Sequence, residues 1–215
     1  MSQLNLSQRI QSIVKLVPKE TQELWDICCD HGIIGKQFLN RELKHIYFLD
    51  QVPSIIKNLR QTLEDSYITS FDILLDDARK INWYKYKKKG VSTKIIVGIG
   101  ADLLIDILSQ IDSHQKDYFI VSAHQNSYKL RQYLIKSDYK LINEILIEES
   151  GRFYEILLVH PQLGESINLV GGDKLWANKN SKKYLIKQIE LFKIKAKYSA
   201  DYDHILKKYL SLKDY

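Results

Sequence analysis

Between Glu23 and His160 the chain repeats one pattern: a short run apolar on both faces, then a stretch whose apolar residues recur every three or four positions. A strand of the first kind must be covered on both sides, and helices between successive strands supply the cover. The runs are Glu23 to Cys28, Ile46 to Leu49, Ile68 to Leu75 (interrupted by Asp72), Lys94 to Gly98 and Tyr118 to Ala123. The helical stretches between and after them are Ile33 to Arg41, Ser54 to Leu63, Leu103 to Ile111 and Ser127 to Lys136. A further helix, Leu6 to Val17, comes first, with Ser7 as its cap and Pro18 as its stop. Lys85 to Gly90 reads as a surface loop. Two final strands, Leu141 to Ile147 and Phe153 to His160, are joined by Glu149, Ser150, Gly151 and Arg152, which is hairpin chemistry. The pattern predicts an α/β fold: a Rossmann-like, doubly wound, mostly parallel seven-stranded sheet with an antiparallel hairpin edge.

After Pro161 the pattern changes. Lys174 to Tyr198 places Leu185, Ile189, Phe192 and Ala196 on one stripe and Lys183, Lys187, Lys193 and Lys197 on the other side. Asp201 to Lys213 is a second amphipathic stretch, with Ile205, Tyr209 and Leu212 facing one way. An antiparallel helix pair is expected here, so residues 1–165 form one domain and 166–215 a basic helical extension. From Lys174 onward there are eleven Lys against four Asp or Glu, a net of +7, while the whole chain carries +6. All of the excess positive charge therefore lies in the extension. Such a face is either a solvated lysine surface or the footprint of a nucleic acid.

Composition closes other options. With 45% apolar and 27% charged residues the chain is not a disordered one, and 9 Gly and 3 Pro exclude a collagen-like architecture. No apolar stretch approaches the ~20 residues of a membrane span. Met1 to Ile13 lacks the apolar centre of a signal peptide, and the two cysteines, Cys28 and Cys29, are adjacent, so a reduced cytoplasmic protein is expected. No metal is expected: the cysteines lack a further Cys/His set, and His45, His114, His160 and His204 are scattered. Trp25, Trp83 and Trp176 read as core or domain-junction anchors.

Ligands of open α/β sheets bind beyond the carboxyl ends of the strands, where strand order reverses. The residues at those ends are Asp26 to Gly32, then Asp50-Gln51, Asp76-Asp77-Ala78, Gly98-Ile99-Gly100 and Ala123-His124-Gln125-Asn126. The first loop has DxxxxxGxxG spacing in place of the GxGxxG of dinucleotide binders, so a nicotinamide-dependent oxidoreductase is disfavoured. Asp26, Asp30, Asp50 and Asp77 make the crevice acidic. That suits a cationic nucleoside such as S-adenosylmethionine, with Asp50 placed to accept both ribose hydroxyls. The alternative is that these residues cap helices.

Four segments carry a resemblance: LSQRIQSIVKLVP from Leu6, DICCDHGIIG from Asp26, VGIGADLLIDIL from Val97 and RQYLIKSDYKLINEILIEESGRFYEILLV from Arg131. Together they resemble the bacterial tRNA (adenine-22, N1) methyltransferases, a class I S-adenosylmethionine-dependent family. The resemblance runs from about residue 4 to 161, and the basic tail is similar in kind to that family's C-terminal coiled-coil domain. It implies that Asp26, His31 and Gly32 line the methionine side of the cofactor, Asp50 with Gln51 the ribose, and Asp77 with Ala78 the adenine. Gly98 and Gly100 would let cofactor and target meet at the end of the fourth strand. The chain departs from the family at Cys28, where a glycine is usual, at Ala101, which follows Gly100, and at Ser122-Ala123-His124, where many members have Gln-Pro-Asn.

Methyl transfer is an in-line displacement that rests mainly on positioning, and adenine N1 needs no base to attack. Asp30 and His124 are the candidates to accept a proton from the product or to hold the base edge. Arg9 and Arg152 are candidates for tRNA phosphate or for buttressing the site, and Tyr154 for stacking on a flipped base. Lys183, Lys187, Lys193 and Lys197 are expected to contact tRNA phosphates. Two other readings stay open: a methyltransferase acting on another RNA or base, and an inactive, cofactor-sensing RNA-binding protein. The sequence sets no oligomeric state.

Overall fold

The computed structural model describes residues 6–63, 70–86, 90–112 and 117–212. The expected strand start at Ile68, the centre of the Lys85-to-Gly90 loop, His114 and the helix end at Lys213 lie outside the described residues. Five strands, β1 (Glu23–Ile27), β2 (His45–Asp50), β3 (Phe71–Leu75), β4 (Ser92–Ile99) and β5 (Asp117–Ala123), form the parallel part. The hairpin β6 (Lys140–Glu149) and β7 (Arg152–His160) closes the edge, and a two-residue strand β8 (Glu165–Ser166) adds an eighth to the seven expected. The order is β3-β2-β1-β4-β5-β7-β6-β8, so the order in which strands are added reverses between the parallel neighbours β1 and β4. Ile27 pairs with Leu49 and Ile96, which brings the carboxyl ends of β1, β2 and β4 to one edge.

One face is covered by α4 (Ala101–Gln110) and α5 (Ser127–Lys136), whose Leu104, Ile107, Leu108, Leu130 and Leu134 pack on Trp25, Tyr47, Ile96 and Phe119. The other carries α1 (Gln8–Leu16), α2 (Ile33–Lys36) and α3 (Pro53–Leu63), packed through Ile13, Ile34 and Leu59 on Leu24, Phe48 and Ile95. Ser7 caps α1, its hydroxyl accepting from the Ile10 amide at 3.4 Å. The expected Ile33-to-Arg41 helix is only one α-turn. From Gln37 onward the bonds run to the residue three back (Gln37 to Ile34, Phe38 to Gly35), which tightens the segment into turns. Ser150 and Gly151 both have positive φ (50° and 73°), the two-residue connection that matches strand twist in a hairpin.

The first helix of the expected pair is not continuous. Lys174 to Tyr198 is split into α6 (Asp173–Trp176) and α7 (Ser181–Ala196), followed by a 3-10 turn (Ala200–Tyr202) and α8 (Asp203–Leu210), which packs on α7. Asn178 makes the break: its side chain accepts from the Asn180 amide and donates to the Leu146 carbonyl of β6, both at 2.9 Å. Tyr184, Ile189, Phe192, Ile205 and Tyr209 are buried with Leu146 and Trp176 in a third apolar cluster. Beneath it lies Arg131 of α5, fully buried, which donates to Glu155 and Glu144 at 2.6 Å each and to the Asn168 carbonyl at 3.0 Å. Glu144 in turn accepts from the Gly172 amide at 2.6 Å, and Tyr184 from α7 bonds Glu155. All three tryptophans are buried as expected. Among the described residues no helix is long and apolar enough to cross a membrane.

Candidate active site

The first loop is tightly curled: Cys28, Asp30 and Gly32 all have positive φ (56°, 49° and 63°). A left-handed residue at Cys28 explains why a glycine suits that place. Burial pushes the Cys28 thiol up to about 12, helped by the Asp50, Asp26 and Asp77 carboxylates, so it is not a nucleophile at neutral pH. Asp26 lies inside β1, 2% exposed, and its Oδ2 accepts from the Gly35 amide at 2.8 Å, tying α2 to the strand. Burial raises its carboxyl to about 7; repulsion from Asp50 and Asp30 adds to this, and the Gly35 amide opposes it.

Asp50 ends β2. Its two oxygens accept from the Asp30 amide (3.1 Å) and the Val52 amide (3.0 Å), which fixes the carboxylate and leaves each oxygen a lone pair. Asp77 is clasped by Arg79, through Nε at 3.0 Å, Nη2 at 2.7 Å and the backbone amide at 2.9 Å, and these bonds draw it down to about 2. Asp50, Gln51, Asp76, Asp77, Ala78 and Cys28 line one cleft with the apolar Leu103 and Ile107 of α4. His31 projects into solvent with Nε2 3.6 Å from Asp30, also exposed. Gly98 (φ 83°) interrupts the β4–β5 register, and a Cβ at Gly98 or Gly100 would meet nothing within 4 Å. Space therefore stands open at the end of β4, flanked by Asp30 on the β1 side and His124 on the β5 side.

On that β5 side the structure joins residues far apart in sequence. The His124 amide donates to the Ile99 carbonyl at 2.9 Å, and the imidazole bonds the Gly98 backbone and meets the Tyr154 ring edge-on at 5.7 Å. The Arg9 guanidinium lies 4.6 Å from the centroid of that same ring, with Nε 3.5 Å from Glu149 Oε2. Partial burial lowers the His124 pKa, and the Arg9 and Arg152 cations lower it further, so the ring is neutral at pH 7. Beyond it opens a cleft of about 620 Å³ between the β5–α5 loop, the hairpin tip and α7. His124, Arg152, Tyr154 and Lys187 line it together, and Arg9 stands behind Tyr154.

The other three lysines stand elsewhere: Lys183 is 3.9 Å from Glu148, and Lys193 and Lys197 are exposed on α7. Sequence reasoning missed Lys195, Tyr128 and Phe153, which also line the cleft, as does the strand-end Asn126. Lys195 was findable: it falls three residues after Phe192 and so belongs to the inward stripe of α7, where a lysine needs a reason.

The methyltransferase-domain family profile matches residues 6–157. The chain belongs to that family. It is 26% identical to the tRNA (adenine(22)-N(1))-methyltransferase of Bacillus subtilis over 162 residues, covering 74% of this chain and 66% of that protein's length. Among solved structures, M. capricolum TrmK in complex with S-adenosylhomocysteine superposes with a TM-score of 0.77 at 19% identity, over 96% of each chain. The m1A22 tRNA methyltransferase TrmK of B. subtilis gives 0.71 at 21% identity, over 97% of this chain and 95% of that one. The shared fold thus extends past the methyltransferase domain into the C-terminal helices.

Proposed function

We propose that this methyltransferase uses S-adenosylmethionine to methylate N1 of an adenine in tRNA, position 22 by its relatives' activity. Residues 1–165 are the catalytic unit, and 166–215 are a basic extension that contacts the RNA. The observation that carries the reading is a division of charge about Gly98. On the β1–β3 side stand Asp26, Asp30, Asp50, Asp76 and Asp77, the last paired with Arg79; the cleft on the β5 side holds Arg152, Lys187, Lys195 and His124, and among the described residues no carboxylate lines it. A cationic nucleoside suits the first and a polyanion the second. The Bacillus subtilis relative and M. capricolum TrmK, which was solved with S-adenosylhomocysteine, support both halves.

The residues fit the cofactor: two fixed oxygens on Asp50, an apolar wall of Ala78, Leu103 and Ile107, and unfilled space at Gly98 and Gly100. S-adenosylmethionine supplies an activated methyl on a sulfonium centre. Asp50 and Gln51 hold the ribose, Asp77 and Ala78 the adenine end, and Asp26, His31 and Gly32 the amino-acid end. A cation bound beside Asp26 would draw its raised carboxyl back toward the ionised form. On the target side, Tyr154 is buried between the Arg9 guanidinium and the His124 ring, and only its remaining 8% exposure can meet the flipped adenine. The neutral His124 holds the base edge and, with Asp30 opposite, is the acceptor for any proton released.

The test is methyl transfer from labelled S-adenosylmethionine to unmodified tRNA transcripts, with the position read by primer-extension arrest. An arrest at adenine 22 is expected. Arrest elsewhere moves the target to another base, in keeping with His124 at the position where relatives carry Asn. Cofactor binding without any transfer removes the proposal.

A further inference from the structure

We infer that the 620 Å³ cleft beside His124 seats a second, unstacked nucleotide of the RNA, adjacent to the one methylated. This rests on the tRNA reading above and names the subsite that reading lacks. Its volume lies within the ~300–1,000 Å³ of clefts that take small molecules. Its walls join rings (Tyr128, Phe153, Phe192) with cations (Arg152, Lys187, Lys195) and, among the described residues, carry no carboxylate. Aromatic faces beside a positive groove are the general means of holding single-stranded nucleic acid, because every base has a π-face and every link a phosphate.

The cations are oriented and their charge is not cancelled. Lys187 donates to the Gly151 carbonyl at 2.9 Å, with its ammonium 4.9 Å from the Phe153 centroid. Lys195 donates to Asn126 Oδ1 at 2.8 Å and stands 5.4–5.5 Å from the rings of Tyr128, Phe192 and Tyr202. Neutral acceptors and ring faces hold an ammonium in place and leave its charge for an anion. Tyr128 and Phe153 are only half-buried, and Leu191 at the rim is 40% exposed, so apolar surface remains for a base to cover. Because His124 lines the cleft and its amide bonds Ile99 at the end of β4, an occupant of the cleft is the chain neighbour of the base at His124. RNA must then be unstacked at two successive positions, which favours loop or single-stranded substrate over a helix.

The test uses the full-length protein and a dye-labelled short oligoadenylate, read by fluorescence anisotropy at low salt. Phe153→Leu keeps the apolar bulk of a side chain that also packs in the third cluster and removes the ring; it should weaken binding about fivefold or more. Lys187→Gln should lower the log–log salt slope by about one. Affinity for S-adenosylhomocysteine should not change in either, which reports an intact fold. No binding by the wild type, or wild-type binding by both variants, overturns the inference. The two readings fail separately. A wild type that methylates tRNA while both variants bind the oligonucleotide normally loses the subsite and keeps the function; one that binds through Phe153 and Lys187 yet methylates no tRNA loses the function and keeps the subsite.

Discussion

Asp26 is a carboxyl that folding removes from water and gives a single amide donor. Its pKa rises from an ordinary 3.8 to about 7, so the folded chain keeps a proton that the unfolded chain releases. The sign follows by linkage: this contribution to stability is full below pH ~4 and is lost as pH rises through 7, at up to ~1.4 kcal/mol per pH unit. Asp26→Asn keeps an acceptor for the Gly35 amide and removes the charge. It should be more stable than the wild type at pH 8 and equal to it at pH 4, by thermal denaturation across that range, while losing cofactor affinity. His124 is opposite in kind: its pKa is lowered by partial burial and by Arg9, so its neutral form persists to acid pH. The acid limb of kcat/KM should fall below about 6.5, the value of a free imidazole. His124→Asn, the residue usual in the resembled family, should keep more activity than His124→Ala, which should lose roughly 10–100-fold in kcat. The strand-end carboxylates were legible because strand ends are where α/β sheets bind ligands. The clasp of Arg79 on Asp77 was not, since two residues that near in sequence are as easily solvated separately as paired.

At the scale of elements, the fold was readable wherever an element is apolar in its own period. The five parallel strands and α5 come out within a few residues of their sequence bounds: β1, β2, β4 and β5 because burial on both faces leaves apolar runs, β3 despite Asp72, and α5 through its apolar stripe. The short α2 and the broken C-terminal helix were not readable. Their ends are set by partners far along the chain: Phe48 against Gly35, and the Leu146 carbonyl against Asn178. Gly35 shows how firm that contact is. A Cβ there would stand 2.3 Å from Cε1 of Phe48, a ring with no exposure and nowhere to retreat. Gly35→Ala should cost about 1–3 kcal/mol, measured by urea denaturation. It should also weaken cofactor binding, because the Gly35 amide is the donor that holds Asp26. The Arg131 junction is the other element-scale device. One guanidinium spans α5, β6, β7 and the Asn168 carbonyl, and Glu144 and Glu155 pass the linkage on to Gly172 and Tyr184. Arg131→Ala strands two buried carboxylates and should cost ~3–5 kcal/mol.

For the whole molecule, the division of charge becomes a statement about RNA binding. From Lys174 onward the extension carries a net +7 on a body of about neutral balance, and the Arg131 junction docks it so that α7 forms one wall of the cleft. On the proposed function, RNA that reaches His124 would meet α7 on the way, and its phosphates would release counterions to whichever lysines they neutralise. Those lysines are not equivalent. Lys193 and Lys197 are exposed, Lys187 faces the cleft, and Lys183 lies within 3.9 Å of Glu148, which offsets part of its charge. Affinity for tRNA should fall steeply between 50 and 200 mM salt, with a log–log slope that counts the contacts. Lys193→Gln and Lys197→Gln should each reduce that slope by about one, and Lys183→Gln by clearly less. Filter binding of tRNA over a salt series checks this. A slope unmoved by all the substitutions would mean that RNA approaches from the side away from α7, and the extension would then be a packing element for the hairpin edge.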